Sequence, residues 1–235
     1  MGKYVWCEDI GSGFTFWSNV LKQICPEAIV ESKKNNTSLR KAVDKIIDDN
    51  NDYYIFLDRA VDNPDVLREV KKLNSIVQSK RNVHVINIHS FEFVLLSFNK
   101  LEQWVFAEVD ELKEKRQNII AAKSSFVDII LNGGDSINLS KLKEELEYSQ
   151  DYNTEKLAAK LLYDITRNTG FETDKSSLGE CFIANCCEWD NRQDDDICGL
   201  DETRLTAYDK VKTIVKESVL QDAFLTGGII NANSI

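Results

Sequence analysis

Five acidic side chains in the first hundred residues follow apolar runs closely enough to share one edge of a sheet. Glu8 and Asp9 come after Tyr4-Val5-Trp6-Cys7, and Asp58 and Asp62 after Tyr53-Tyr54-Ile55-Phe56-Leu57. Glu92 comes after Val83-His84-Val85-Ile86-Asn87-Ile88, two residues beyond Ser90. Carboxylates gathered at one place repel one another and hold their protons unless a cation joins them. An oxygen-only set suits Mg²⁺ or Mn²⁺. Such an ion positions water or stabilises a leaving oxygen in phosphodiester chemistry. Each of these acids also has a structural use, because Asp after a strand caps the next helix and Glu in a first turn suits the helix dipole. Glu8 stands apart from that explanation: it follows a buried-looking strand and precedes the flexible Gly11-Ser12-Gly13 turn.

The elements that must position these groups follow from periodicity. The four apolar runs near residues 4–7, 28–30, 53–57 and 83–88 read as strands,. Between them Phe14, Trp17, Leu21 and Ile24, and then Leu39, Val43, Ile46 and Ile47, recur at helical spacing,. Asn63-Pro64 supplies an N-cap and a first-turn proline for a helix through Leu67, Val70 and Leu73, and Ser90 opens another from Phe91 to Phe98,. Strands alternating with helices imply crossover connections, hence a doubly wound α/β domain with a parallel sheet over residues 1–100. All the strand ends then emerge on one edge, where such sheets bind ligands. Beyond residue 100 the strand signals stop, and residues 101–235 read as a mostly α-helical region with a cysteine-rich box at 178–200.

At this point the first hundred residues resemble a Toprim domain, of the type found in OLD-family nucleases and related phage-defence effectors. The likeness rests on a strand ending in Glu8, the glycine-containing turn after it, Asp58 and then Asp62 after the third strand, and His89-Ser90-Phe91-Glu92 after the fourth. It implies a Mg²⁺- or Mn²⁺-dependent nuclease in which Glu8 is the catalytic acid/base. Asp58 and Asp62 would hold metal, with Asp9 and Glu92 in support, and DNA or RNA would be the substrate. A second likeness is to a response-regulator receiver, with Glu8-Asp9 as an acidic pair, Asp58 as phosphoacceptor and Ser90 as the later hydroxyl, though no fifth strand carries a lysine. The alternative to an enzyme is a regulatory or interaction module that keeps a degenerate acidic edge.

Charge divides the chain in the same place. The net charge of −10 over 235 residues comes from a second half that carries most of the acidic excess, while residues 1–100 are nearly balanced. Bulk acidity opposes indiscriminate nucleic-acid binding but leaves the balanced half free to handle phosphates. Lys33, Lys34, Arg40 and Lys41 are its modest basic cluster. The acidic half suits a protein partner or a second copy of the chain.

Cys181, Cys186, Cys187 and Cys198 concentrate four of the six cysteines in the pattern C-x4-CC-x10-C. Tetrahedral thiolate sites are typical of structural zinc, and buried free thiols are the ordinary alternative. The neighbouring Asp194-Asp195-Asp196 reads as a solvated loop, Cys7 and Cys25 as core, His84 as structural, and His89 as a proton-transfer candidate. No Walker A loop, GxGxxG or GxSxG occurs,. No apolar run reaches the roughly 18 residues of a membrane span, and the start has no signal-peptide apolar core,. A cytoplasmic, membrane-free protein with reduced cysteines is therefore expected.

Overall fold

Period-two alternation in the third apolar run sets the two faces of a sheet. In β3 (Asp52–Asp58), Tyr54 and Phe56 belong to one buried cluster and Ile55 and Leu57 to another,. Its neighbour β1 (Lys3–Cys7) divides the same way, with Val5 and Cys7 on the first face and Trp6 on the second. The structure, a computed structural model, describes residues 2–59, 62–108, 110–193 and 197–231; Asp194-Asp195-Asp196 lies outside them. β2 (Ala28–Ser32) and β4 (Val83–Ile88) complete a four-stranded, all-parallel sheet of order β2-β1-β3-β4.

Strands buried on both faces need helices on both. On the first face α1 (Ser12–Ile24) lays down Phe16, Trp17, Val20 and Leu21, all fully buried. On the second, α2 (Asn36–Asp44) and α3 (Pro64–Val77) bring Leu39, Val43 and Leu73 against Ile55, Leu57 and Val83. Complete burial of one such side chain stabilises by about 1.5–3 kcal/mol. Helix starts are set by capping side chains: Asn35 accepts from Ser38 N at 2.8 Å, Asn63 from Asp65 N at 3.1 Å just before Pro64, and Ser90 from Phe93 N at 3.2 Å at the head of α4 (Phe91–Ser97). Each contributes about 1 kcal/mol.

After β4 the regular elements among the described residues are helical: α5 (Leu101–Val105), α6 (Glu111–Lys115), α7 (Gln117–Leu131), α8 (Ser136–Glu145), α9 (Thr154–Thr166), a 3-10 turn at Glu180–Phe182, α10 (Ala207–Lys216) and α11 (Leu220–Gly227). Of these, α11 packs onto the sheet at β4, α10 packs on α1, and α7 and α9 pack on α4. Phe224 of α11 meets Phe56 of β3 with ring centroids 5.9 Å apart, and the Tyr54 hydroxyl donates to Gly228 O at 3.2 Å. One cluster of buried apolar side chains therefore runs from Val5 to Ile230, across residue 100. Among the described residues no helix is long and apolar enough to cross a membrane.

Candidate active site

In the order β2-β1-β3-β4 the chain runs outward from β1 in both directions, so the crevice lies between the carboxyl ends of β1 and β3,. Glu8 and Asp58 stand on its two sides. Glu8 Oε1 accepts the Asp58 backbone N–H at 3.0 Å, and the Asn36 N–H at the start of α2 is a second donor to the same carboxylate. Burial nevertheless dominates and, with the fields of Asp9 and Glu155, pushes the Glu8 carboxyl up to about 8,.

Asp9 is fixed from three directions. Its Oδ2 accepts from Trp17 Nε1 at 2.8 Å, its carbonyl accepts from the Ser32 hydroxyl at 2.5 Å, and its carboxylate packs on Gly13, where a methyl group would collide with it. Burial raises Asp9 to about 6, against the indole hydrogen bond and with the help of Glu155. The preceding turn needs its other glycine for a different reason: Gly11 has φ +59, and a side chain there would strike the Lys175 carbonyl,.

Asp58 is raised well above the ordinary carboxylate range by burial, then by the charges of Asp9, Glu8, Glu92 and Glu155. Glu92, in the first turn of α4, is raised to about 7 by burial and by Asp9 and Glu155, although the Ser90 hydroxyl bonds it. Four of the five sequence-predicted acids therefore share one electrostatic neighbourhood. The fifth member of that neighbourhood is Glu155, in the first turn of α9 and exposed.

Asp62 lies elsewhere. Its carboxylate accepts the Thr154 N–H at 2.9 and 3.1 Å and the Thr154 hydroxyl at 2.8 Å, which ties the chain after β3 to the head of α9. It is not among the charges that act most strongly on Asp58. Its place is beside the cluster, where it holds the helix that delivers Glu155.

His89 sits at the same edge. Its Nδ1 lies 2.9 Å from the Arg59 carbonyl, which can only accept, so Nδ1 carries the proton and Nε2 keeps a lone pair,. Burial lowers its pKa, so the ring is neutral. His89, Ser90, Asp58 and Glu155 line one small cleft. Two of the four expected basic groups are already engaged: Lys33 with Glu31 at 2.7 Å, above the Trp6 ring, and Arg40 with Glu69 at 2.7 Å.

The donor set at this edge is oxygen-only and mutually repelling, which is the chemistry a hard divalent cation satisfies. Among the described residues, no group of three or more His, Cys, Asp or Glu side chains is arranged around a common point to hold an ion. That holds for the cysteine box as well. Cys181, Cys186, Cys187 and Cys198 are free thiols on the wall of one cleft, and burial raises Cys181 to about 12. Cys7 and Cys25 are buried in the core, as their positions beside strand and helix imply.

Glu155 escapes sequence reading because it lies far along the chain, in the acidic half. The Asn153-Thr154-Glu155 helix start is visible there, but it looks like any favourable first turn,. No protein-family model, no curated protein and no solved structure matches the chain.

Proposed function

We propose that the chain is a divalent-metal-dependent, phosphodiester-cleaving enzyme of nuclease type, with a Toprim-like α/β half. The observation that carries this reading is the convergence of Glu8, Asp9, Asp58, Glu92 and Glu155 at the β1/β3 crevice, with the first four kept half-buried against their mutual repulsion. Asp58, Asp9 and Glu92 are the groups that would draw Mg²⁺ or Mn²⁺ to this edge, although as they stand no three of them surround one point, and the ion would supply charge stabilisation for phosphodiester oxygens,.

The chain's own residues do the rest. Glu8, with its carboxyl raised to about 8, is protonated at neutral pH and gives its proton to the leaving oxygen as general acid,. The Asp58 N–H holds its carboxyl in place. His89, neutral with Nε2 unprotonated, lines a cleft with Asp58 and Glu155 and accepts a proton from water there. Trp17 and Gly13 fix Asp9, while Asp62 and Thr154 fix the start of α9. DNA or RNA is the substrate class. The cytoplasm is the compartment that keeps all six cysteines as thiols,. The acidic helices beyond residue 100 are the surface for a protein partner or a second copy, and phage defence is the setting the likeness suggests.

A second reading has one observation in its favour. The order β2-β1-β3-β4 is that of the first four strands of a flavodoxin-like receiver, with Asp58 at the end of β3 and Ser90 after β4,. In that reading the acidic edge is a regulatory module. Calorimetry with Mn²⁺ separates the enzyme from a non-enzymatic module: binding that weakens at least about tenfold in Asp58→Asn supports the enzyme, and indifference to Mn²⁺ supports the module. Beryllofluoride binding supports the receiver instead.

A further inference from the structure

Two cations stand beside the acidic edge without pairing to it. Arg59 and Lys175 are exposed, and among the described residues neither has a carboxylate within ion-pair distance. Arg59 directly follows Asp58. Its backbone N–H is shared between the Ile88 and His89 carbonyls at 3.2 and 2.9 Å, and its own carbonyl meets His89 Nδ1 at 2.9 Å, so the backbone that carries the guanidinium is fixed. The side chain lines the small cleft of Asp58, His89 and Glu155, near enough for its charge to act on the His89 ring.

Lys175 reaches the edge from the segment after α9. The turn 174–177 closes on itself: the Asp174 N–H donates to the Ser177 carbonyl at 2.9 Å, and the Asp174 carboxylate accepts the Ser176 and Ser177 N–H groups at 2.7 and 2.9 Å. Its tip rests on the turn after Asp9. There the Lys175 carbonyl accepts the Ser12 N–H at 3.5 Å and leaves no room for a side chain at Gly11. Lys175 lines a second cleft, of about 170 Å³, together with Glu92 and Tyr163. The first cleft is bordered by Thr154 and Glu155 of α9, the second by Ala159 and Tyr163 of the same helix. Each therefore joins one free cation to a different acid of the edge.

We propose that Arg59 and Lys175 hold successive backbone phosphates of a polynucleotide strand laid across the acidic edge. The inference rests on the phosphodiester reading of that edge and names the groups that select a polymer over a small phosphodiester. A lone phosphate can occupy one cleft at a time, whereas a strand engages both cations together. The guanidinium offers a planar fork of donors to phosphate oxygens, and the ammonium acts as a point charge. Neither contact reads a base, so the strand is held without regard to its sequence. Lys33 and Arg40, already tied to Glu31 and Glu69, stand outside this track.

The test is the binding of a fluorescent single-stranded DNA oligonucleotide to the full chain, read by anisotropy over a range of salt concentrations. Chelator and a pH of about 6 remove divalent ions and leave Glu8 and Glu92 their protons, so repulsion is least,. The slope of log affinity against log salt should fall by about 0.7 in Arg59→Gln, by about 0.7 in Lys175→Gln and by about 1.4 in the double variant. Affinity should drop by about two- to fivefold in each single variant, the worth of one exposed ion pair, and Lys175→Arg should restore it. Lys33→Gln should alter neither slope nor affinity. A wild type that does not bind the strand overturns the proposal, as does a slope that the double variant leaves unchanged. A Lys33→Gln variant that loses as much as Lys175→Gln places the strand along β2 and overturns it too. The phosphodiester reading fails separately: a wild type that shows these slopes yet cleaves nothing with Mn²⁺ keeps the phosphate contacts and loses the catalytic role.

Discussion

Glu8 Oε1, at the end of β1, accepts the backbone N–H of Asp58, at the end of β3, at 3.0 Å. This bond crosses the crevice where the strand order reverses, and it brings together two carboxyl groups whose hold on their protons burial and mutual repulsion strengthen. The remaining acids, Asp9, Glu92 and Glu155, reach the same place from the α1 turn, the head of α4 and the head of α9.

Stability should fall as pH rises in the absence of divalent ions. Glu8, Glu92 and Asp9 have folded-state values of about 8, 7 and 6, all above their ordinary range. The folded chain therefore binds more protons than the unfolded chain between about pH 4 and 8, and stability is lost through that window. Asp58→Asn removes one repelling charge from its centre. It should raise the melting temperature at pH 8 by about 2–4 °C, corresponding to about 1 kcal/mol for a chain of this size, and leave it unchanged near pH 4. Thermal melts in chelator across that range check the sign; stability that rises from pH 5 to 8 contradicts it.

Gly13→Ala should disturb Asp9 without replacing any acidic residue. The added methyl collides with the Asp9 carboxylate, which is held on its far side by Trp17 Nε1 at 2.8 Å. The expected outcome is a loss of about 1–3 kcal/mol, as for overpacking in a filled interior, together with weaker Mn²⁺ binding. Denaturant melts and calorimetry on the same sample measure both.

Asp62→Ala should act on α9. It removes an acceptor shared by the Thr154 N–H and hydroxyl, and Thr154 is buried. Stability should drop by about 1.5–3 kcal/mol, the range for bonds to a charged group, and amide exchange should accelerate at the first turn of α9. If Asp62 were instead a metal ligand, the variant would keep its α9 protection and lose divalent binding outright.

The parallel sheet and its acidic edge are legible in the sequence because both rest on local signals. Period-two burial marks β3, and a capping residue marks each of α2, α3 and α4. Four acids could be placed at the edge because strand ends fix their position along the chain. Asp62 and Glu155 could not be placed, because their positions depend on a contact between residues 62 and 154 that no local pattern encodes. The same limit applies to the C-terminal helices. Their apolar faces are visible in sequence, but not that Phe224 comes back onto Phe56 and joins both halves in one core.

Cleavage of DNA and RNA with Mn²⁺ or Mg²⁺, comparing wild type with Glu8→Gln, decides whether Glu8 is the general acid. Gln retains an oxygen to accept the Asp58 N–H but has no acidic proton to give. Cleavage by the wild type should depend on the divalent ion and fall by about 10²–10⁴ in Glu8→Gln, the range for general acid–base catalysis. Equal cleavage by both proteins, or none by either, would contradict it.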